Sequence, residues 1–396
     1  MLIFTYKPMN LVETAELTKK ILKGIAATLV LYFIFLGIKA PIKASWVALF
    51  PPKNQPTVAF GLVDPLQLTQ VPIVGNNPEY VLNTADGSLP EDLETVMKIY
   101  KYKPVRYSYS AGANAQRDAS ILGYTDNMRV SELSELTLKW EDVFYGGKLA
   151  IDLNKNTLEL VTPLASKGSL FPAGKLNKVL VIEVAQELFT RMDRFTDPLY
   201  KKASLKDIKV YFGKFTARGA IEANSILEAQ IARVDIFRSV EDYPILGPNP
   251  THALLQVFLR TPEADGRNRQ LNFPLVKAYH WEIDTTQQAT YPLLPIAQAW
   301  EQISTNGGVI SNVTPKGQSP FLGVPITRVD KILVNNIYLA YFDNKEPQTF
   351  LQPIYVFEGN YTAATGGSGN ITLYYPAVSG EYVRPLPTAE PTTPQQ

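Results

Sequence analysis

The sequence predicts an α+β protein, with an N-terminal transmembrane helix followed by units in which a helix lies on an antiparallel sheet. Three observations predict it. An uncharged apolar run, Gly24 to Ile38, stands between Lys23 and Lys39. Beyond it, segments of strand-forming residues follow one another with short polar turns between them. Three segments with helical spacing of apolar residues interrupt that series, which gives meanders accompanied by helices rather than the regular strand and helix alternation of a parallel sheet.

Taken in order, the first element is the anchor. Fifteen residues at 1.5 Å rise cover about 22 Å, short of the roughly 30 Å hydrocarbon core. Flanking lysines snorkel, so 21–42 is long enough to span. The rival reading is a cleaved signal peptide, but Pro41 after Ala40, and Ile42 two residues before Ala44, are poor cleavage contexts. Lys7, Lys19, Lys20 and Lys23 precede the span, and Lys39, Lys43 and Lys53 follow it. With a short N-terminal side, 1–20 is expected in the cytoplasm and the bulk of the chain outside the cell membrane.

Next comes a Pro-rich stretch, 43–90, which includes "PPKNQP" and reads as a stiff stalk. A first α+β unit is expected over 91–172, with a helix in "AGANAQRDASILGY" and strands in "LTLKWEDVFY", "GKLAIDL" and "NTLELVTP". A second follows over 173–291. Its helix "KLNKVLVIEVAQELFTRM" aligns Leu176, Val179, Leu180, Val184, Leu188 and Met192 in an apolar stripe. The strands "LKDIKVYFGKF", "LEAQIARVDIFR", "HALLQVFLR" and "VKAYHWEID" complete it. The third unit, 292–384, has a helix "PIAQAWEQIS" opened by Pro295, whose missing N–H suits a helix start. Ile296, Ala299, Trp300 and Ile303 form its stripe, with Trp300 the central contact on the sheet. The strands "KILVNNIYLAYF", "TFLQPIYVFEG" and "ITLYYPAV" follow, with Tyr338–Phe342 and Phe350–Phe357 expected to pair antiparallel. The tail 385–396 reads as disordered.

Composition removes several chemistries. The 396 residues include no cysteine, which excludes disulfides, thiolate catalysis and cysteine metal sites. There are two histidines, His252 and His280, without an HExxH spacing. A net charge of +1 gives no overall field toward nucleic acid or lipid. No cofactor is expected, and no residue is assigned to metal binding or catalysis.

The last unit resembles the PepSY-like families, including the YycI- and YycH-type extracytoplasmic regulators. The residues that carry the resemblance are Leu351, Pro353, Tyr355, Gly359, Gly380 and Glu381, following the helix "AQAWEQI", with Ser379 where threonine is usual. The wider layout is similar to that of a group of uncharacterised single-pass bacterial membrane proteins. The resemblance implies a cystatin-like fold outside the membrane and the binding or regulation of a partner, without catalytic residues.

Two surfaces are candidates for that binding. The strip Ile99–Ser110 interleaves Lys101, Lys103 and Arg106 with Tyr100, Tyr102, Tyr107 and Tyr109, with no acidic residue from Thr95 to Arg117. Such a strip stacks on sugars and neutralises phosphates, as an anionic wall polymer requires. The plainer expectation is a solvated strand face. The second candidate is a strand edge at Leu351, Pro353 and Tyr355, because proline lacks the N–H a central strand needs. An edge accepts a peptide or an envelope protein by strand addition, or is simply protected from aggregation by its proline. The carboxylate pairs Glu141/Asp142 and Glu241/Asp242 each point to opposite faces of a strand and do not make a hydrolase alone. The expected function is therefore that of a membrane-anchored, extracytoplasmic, non-catalytic binding or regulatory protein. An envelope hydrolase or a structural, wall-polymer-binding protein is the alternative.

Overall fold

The computed structural model describes residues 56–385 apart from 76, 106, 131–135, 165–167, 175, 202–205, 218 and 262–267, together with Glu16, Lys19, Lys20 and Leu22. The described residues from Pro56 onward form one compact unit.

Two large, curled sheets dominate, so the protein is mostly β. The first is antiparallel throughout, in the order Arg129–Val130, Thr137–Glu141, Lys148–Asp152, Thr157–Val161, Leu275–Ala278, Leu255–Leu259, Ile231–Ile236, Ile208–Thr216, Gly219–Glu222. The second runs Arg238–Val240, Tyr243–Leu246, Lys331–Phe342, Phe350–Thr362, Ser368–Pro376, Val309–Pro315. Glu79–Leu82 pairs with Lys331–Phe342 in parallel, and Val96–Tyr102 pairs with Ile283–Pro292 and with Phe350 and Leu351.

This corrects the α+β expectation. From Pro56 onward the helices among the described residues are few and short beside sheets of this size: α1 (Ala111–Ile121), α2 (Lys178–Arg191), the single turn α3 (Pro198–Lys201) and α4 (Ile296–Asn306). Nor are there three helix-on-sheet units, since Leu275–Ala278 pairs with Thr157–Val161 inside one sheet, across the boundary expected at 172. Local alternation of apolar residues is the same whether a strand pairs with its neighbour in sequence or with one a hundred residues away, so period alone does not divide a sheet.

The anchor expectation is corrected too. The span 21–42 lies outside the described residues except for Leu22, and among the described residues no helix is long and apolar enough to cross a membrane. A single-pass membrane location therefore has no support in the structure. The tail 386–396 lies outside the described residues as well.

From Pro56 onward the segment expected as a stalk is packed on the body. Thr57 and Val58 N–H groups both donate to Thr290 O at 3.0 Å. Val63 is wholly buried with Ile99, Tyr291 and Val378, and Leu66 and Leu68 cover Ala340, Phe342, Ile354 and Val356. Prolines here shape a close-fitting irregular strap, because the face beneath it is apolar and needs covering.

The pairing of Tyr338–Phe342 with 352–356 agrees with the expected antiparallel register, Tyr341 facing Pro353 and Ala340 facing Ile354. Leu339, Tyr341, Leu351 and Tyr355 enter one core, and Tyr338, Ala340 and Phe342 the other. Both faces are covered, which is why "PIYVF" is apolar without interruption. A bulge at Asn335 interrupts the pairing between Val334/Gly359 and Asn336/Glu358. There Gly359 approaches the neighbouring strand so closely that a Cβ would lie 1.8 Å from Leu333 O.

The helices rest on these sheets. In α2, Asn177 Oδ1 caps Leu180 N at 2.8 Å, and Val181, Ile182, Ala185, Leu188 and Phe189 face the first sheet. Val179 and Leu180 are exposed instead, so the true stripe is rotated from the expected one. In α4, Ala299 and Ile303 are fully buried, while Trp300 is half-buried and stacks on Phe357 with centroids 6.1 Å apart.

Candidate functional site

The chain leaves the first sheet at Ala278 and enters the strand Ile283–Pro292 of the second half, so Tyr279–Glu282 is the crossover between two cores. Each core anchors part of it. Trp281 is 1% exposed and its Nε1 donates to Asn344 O at 3.0 Å. His280, beside it, is 8% exposed and lies 5.5 Å from the Tyr200 ring. Among the described residues neither His280 Nδ1 nor Nε2 has a hydrogen-bond partner.

His280 lines a cavity of about 270 Å³ at this crossover. Besides the crossover itself, its wall comes from four parts of the chain: Lys103, Pro104, Val105 and Ser108 after the strand Val96–Tyr102, the first turns of α1, the hairpin at Ile151, Asp152, Leu153 and Asn156, and Asp193, Arg194 and Thr196 after α2. Desolvation, followed by the positive charges of Arg238 and Arg194, pushes the His280 pKa down to about 3. The ring is neutral at pH 7 and offers one donor and one acceptor.

The charged groups around the cavity are already committed to partners. Asp118 binds Arg194 at 3.4 Å and Arg117 at 3.2 Å, and Arg117 also holds Asp193 at 3.0 Å. Burial raises the Asp118 carboxyl above its usual value despite these arginines. Lys103 pairs with Glu282 at the rim. Asp152 Oδ1 accepts the N–H groups of Asn154 and Lys155 at 2.9 and 2.8 Å. Among the described residues, the side chains that remain for a ligand are uncharged: His280, Asn114, Asn156, Ser108 and Thr196.

Behind the cavity a second charged group joins the two cores. Arg238, 2% exposed, lies between Asp197 and Asp343 and also donates to Trp281 O at 2.9 Å. Tyr102 Oη donates to the second oxygen of Asp343 at 2.9 Å. The Tyr200 ring touches both this guanidinium, at 5.0 Å, and His280.

The basic tyrosine strip does not survive as one surface. Alternation along the strand turns Tyr100 and Tyr102 into the core, 2% and 7% exposed. Tyr100 packs edge-on against Tyr341 at 5.7 Å. Lys101 lies over the Phe60 ring at 4.8 Å, on the opposite face. Lys103 reaches the cavity, but in its ion pair with Glu282. Tyr107 and Tyr109 are exposed and are not part of the cavity wall, and Arg106 lies outside the described residues. The strip fails as a polymer platform because a strand with a buried face cannot present consecutive residues to one ligand.

The expected edge at Leu351, Pro353 and Tyr355 is corrected in the same way. Their strand is central, with Lys331–Phe342 on one side and Ser368–Pro376 on the other. Pro353 O accepts from Ala377 N at 3.2 Å just beyond the end of the latter strand. Ala377 O, which a residue with an N–H at 353 would reach, takes its hydrogen from Leu294 N at 2.8 Å. Proline is tolerated because a loop supplies the donor that it lacks. Leu351 is fully buried, and Tyr355 Oη donates to Leu294 O at 2.7 Å.

Neither carboxylate pair forms a catalytic couple. Asp142 is buried and accepts from Phe144 N at 2.9 Å in its own turn, while Glu141 pairs with Lys148. Glu241 is held by Lys98. Among the described residues no cluster of three His, Asp or Glu side chains can hold a metal. Asp118, Arg194 and Asn156 were not legible as site residues, since nothing local in the sequence links three positions in separate elements. His280 carries one local signal: a polar side chain between Tyr279 and Trp281 in a run otherwise bound for burial.

No family model matches the chain, and no curated protein matches it. Among solved structures, the crystal structure of an uncharacterized protein from Eubacterium rectale ATCC 33656 is similar, with a TM-score of 0.41 and 13% identity over 81% of this chain and 94% of that one.

Proposed function

We propose that the protein is a non-catalytic binding module that takes one small, uncharged ligand rich in hydroxyl or amide groups, such as a single sugar ring, into the cavity around His280. The observation that carries the reading is His280 itself: more than nine-tenths buried, neutral, and without a partner among the described residues at either ring nitrogen while lining the cavity. A buried polar group costs stability unless something bonds it. A hydroxyl both donates and accepts, so one or two hydroxyls satisfy the ring. A charged ligand would have to break one of the ion pairs around the wall, which costs more than it returns. The volume of about 270 Å³ sits just below the usual range for small-molecule sites and excludes a polymer threaded through it. Catalysis is disfavoured because a base with a pKa near 3 accepts a proton poorly at neutral pH, and the carboxylates nearby are committed to partners.

The test is saturation-transfer NMR of the full chain with glucose and N-acetylglucosamine, alongside charged glucuronate and glucosamine. At least one uncharged sugar is expected to show transfer, weakened tenfold or more in His280→Leu and in the surface variant Asn114→Leu. The charged sugars are expected to be weaker. No transfer to any uncharged sugar, or transfer indifferent to both variants, overturns the reading.

A further inference from the structure

A second cavity of about 310 Å³, sharing no lining residue with the one at His280, lies where the first sheet meets the loops after Leu246 and Phe342. Among the described residues that line it there is no Asp or Glu. One part is apolar, formed by Val71, Pro248, Ala253 and Leu254; the polar part carries Lys277, Lys345, His252 and Tyr279.

The charges facing it from each element can be followed in turn. On the strand Ile231–Ile236, Arg233 and Asp235 bind each other at 2.6 Å. Asp235 also accepts from Gln256 Nε2 at 2.7 Å and Ala253 N at 3.0 Å, so this pair closes on itself. On Leu275–Ala278, Lys277 has Glu159 at 3.4 Å, and Glu159 also accepts from Tyr279 Oη at 3.0 Å. After Phe342, Glu346 is taken by Lys155 at 2.8 Å. Lys345, at the mouth, lies over the Tyr279 ring with its ammonium 5.7 Å from the centroid, and among the described residues no carboxylate is within ion-pair reach of it. Desolvation and the like charge of Lys277 lower the Lys345 pKa, and desolvation together with Arg233, Lys277 and Lys345 pushes that of His252 down to about 3. His252 is thus neutral beside an ammonium that feels Glu159 only at a distance and has no ion-pair partner among the described residues.

We infer that this cavity binds a small organic carboxylate, its apolar body against Val71, Pro248 and Leu254 and its charge on the Lys345 ammonium. The geometry supports a monoanion, because one ammonium there, Lys345, has no ion-pair partner among the described residues. It supports an amphipathic anion rather than an inorganic one, because Val71, Pro248, Ala253 and Leu254 make one part of the lining apolar. The site is independent of the cleft at His280 and shares no residue with it.

Isothermal titration of the full chain with benzoate, against benzyl alcohol and inorganic phosphate, tests this. Benzoate is expected to bind, at least tenfold more tightly than either control. Raising salt is expected to weaken it, since the site is open to solvent at Lys345. Lys345→Met, an exposed substitution that leaves folding intact, is expected to weaken benzoate at least tenfold, and Lys345→Glu to abolish it. His280→Leu is expected to leave benzoate binding unchanged, which separates this site from the first. Benzoate that fails to bind, that binds no better than benzyl alcohol, or that binds Lys345→Met as it binds the unaltered chain overturns the inference.

Discussion

Replacing Arg238 by methionine is expected to expose how much the fold depends on one charged seam. The guanidinium is 2% exposed and bonded to Asp197, to Asp343 and to Trp281 O. Methionine keeps much of the volume but leaves two buried carboxylates, 0% and 2% exposed as side chains, without their cation. Breaking a buried ion pair from one side costs about 3–5 kcal/mol. A typical domain has about 5–15 kcal/mol in total, so the variant is expected to be marginal. Its instability is also expected to depend on pH. Burial already raises the Asp343 carboxyl above its usual value even with Arg238 present. Without the arginine its folded-state pKa rises further, so the folded state holds a proton that the unfolded state releases. Stability of the variant is then lost as pH rises from the ordinary carboxylate range through that raised pKa, and partly recovered below it. Urea unfolding of the full chain, followed by fluorescence of the buried Trp140 and Trp281, measures both effects. The triple variant Arg238→Met, Asp197→Asn, Asp343→Asn removes all three charges and is expected to recover most of the loss, because an uncharged buried seam is often as stable as an ionic one. A loss under about 1 kcal/mol for Arg238→Met at pH 7.5, or a triple variant as unstable as the single one, would refute the reasoning.

Two further outcomes follow from particular contacts. Gly359→Ala places a methyl 1.8 Å from Leu333 O and is expected to cost about 3 kcal/mol or more, whereas Gly112→Ala on α1, with nothing within 4 Å, is expected to be neutral or stabilising; equal melting temperatures for the two would contradict the bulge geometry. His280 has a folded pKa near 3 against 6.5 when unfolded, so its contribution is complete above pH 6.5 and falls as acid protonates the unfolded chain toward pH 3. His280→Leu is therefore expected to flatten the pH dependence of stability between about pH 6 and 4 by roughly 1.4 kcal/mol per pH unit, and parallel curves would show the ring to be hydrated and ordinary.

Individual strands were legible because they depend on short-range pattern. "KILVNNIYLAYF" and "TFLQPIYVFEG" matched their strands, and the faces of 338–342 followed from alternation alone. Sheet membership was not, since the partner of Leu158 is Ala278 and no local feature of either points to the other. The same limit explains Pro353, whose missing N–H is offset by Leu294, sixty residues earlier. It explains the strip at Ile99–Ser110, where composition promised a surface and the pleat divided it. The cavity at His280 needed the positions of Asp118, Arg194 and Trp281 together, which only the closed fold supplies.

The close-fitting strap that begins at Pro56 has a consequence for the order in which the protein is made. Asp64 bonds Arg384 at 2.7 Å across 320 residues of chain, and Val63 forms a parallel bridge with Val383. During synthesis at 5–20 residues per second, the strap emerges roughly 15 to 65 s before the residues that seal it. For that interval Val63, Leu66 and Leu68 have no core to enter, and the apolar face of the hairpin they cover does not yet exist. Val383 and Arg384 thus complete the burial of a strap made some 320 residues before them, and losing that pair removes the bridge to Val63 and the bond to Asp64 at once.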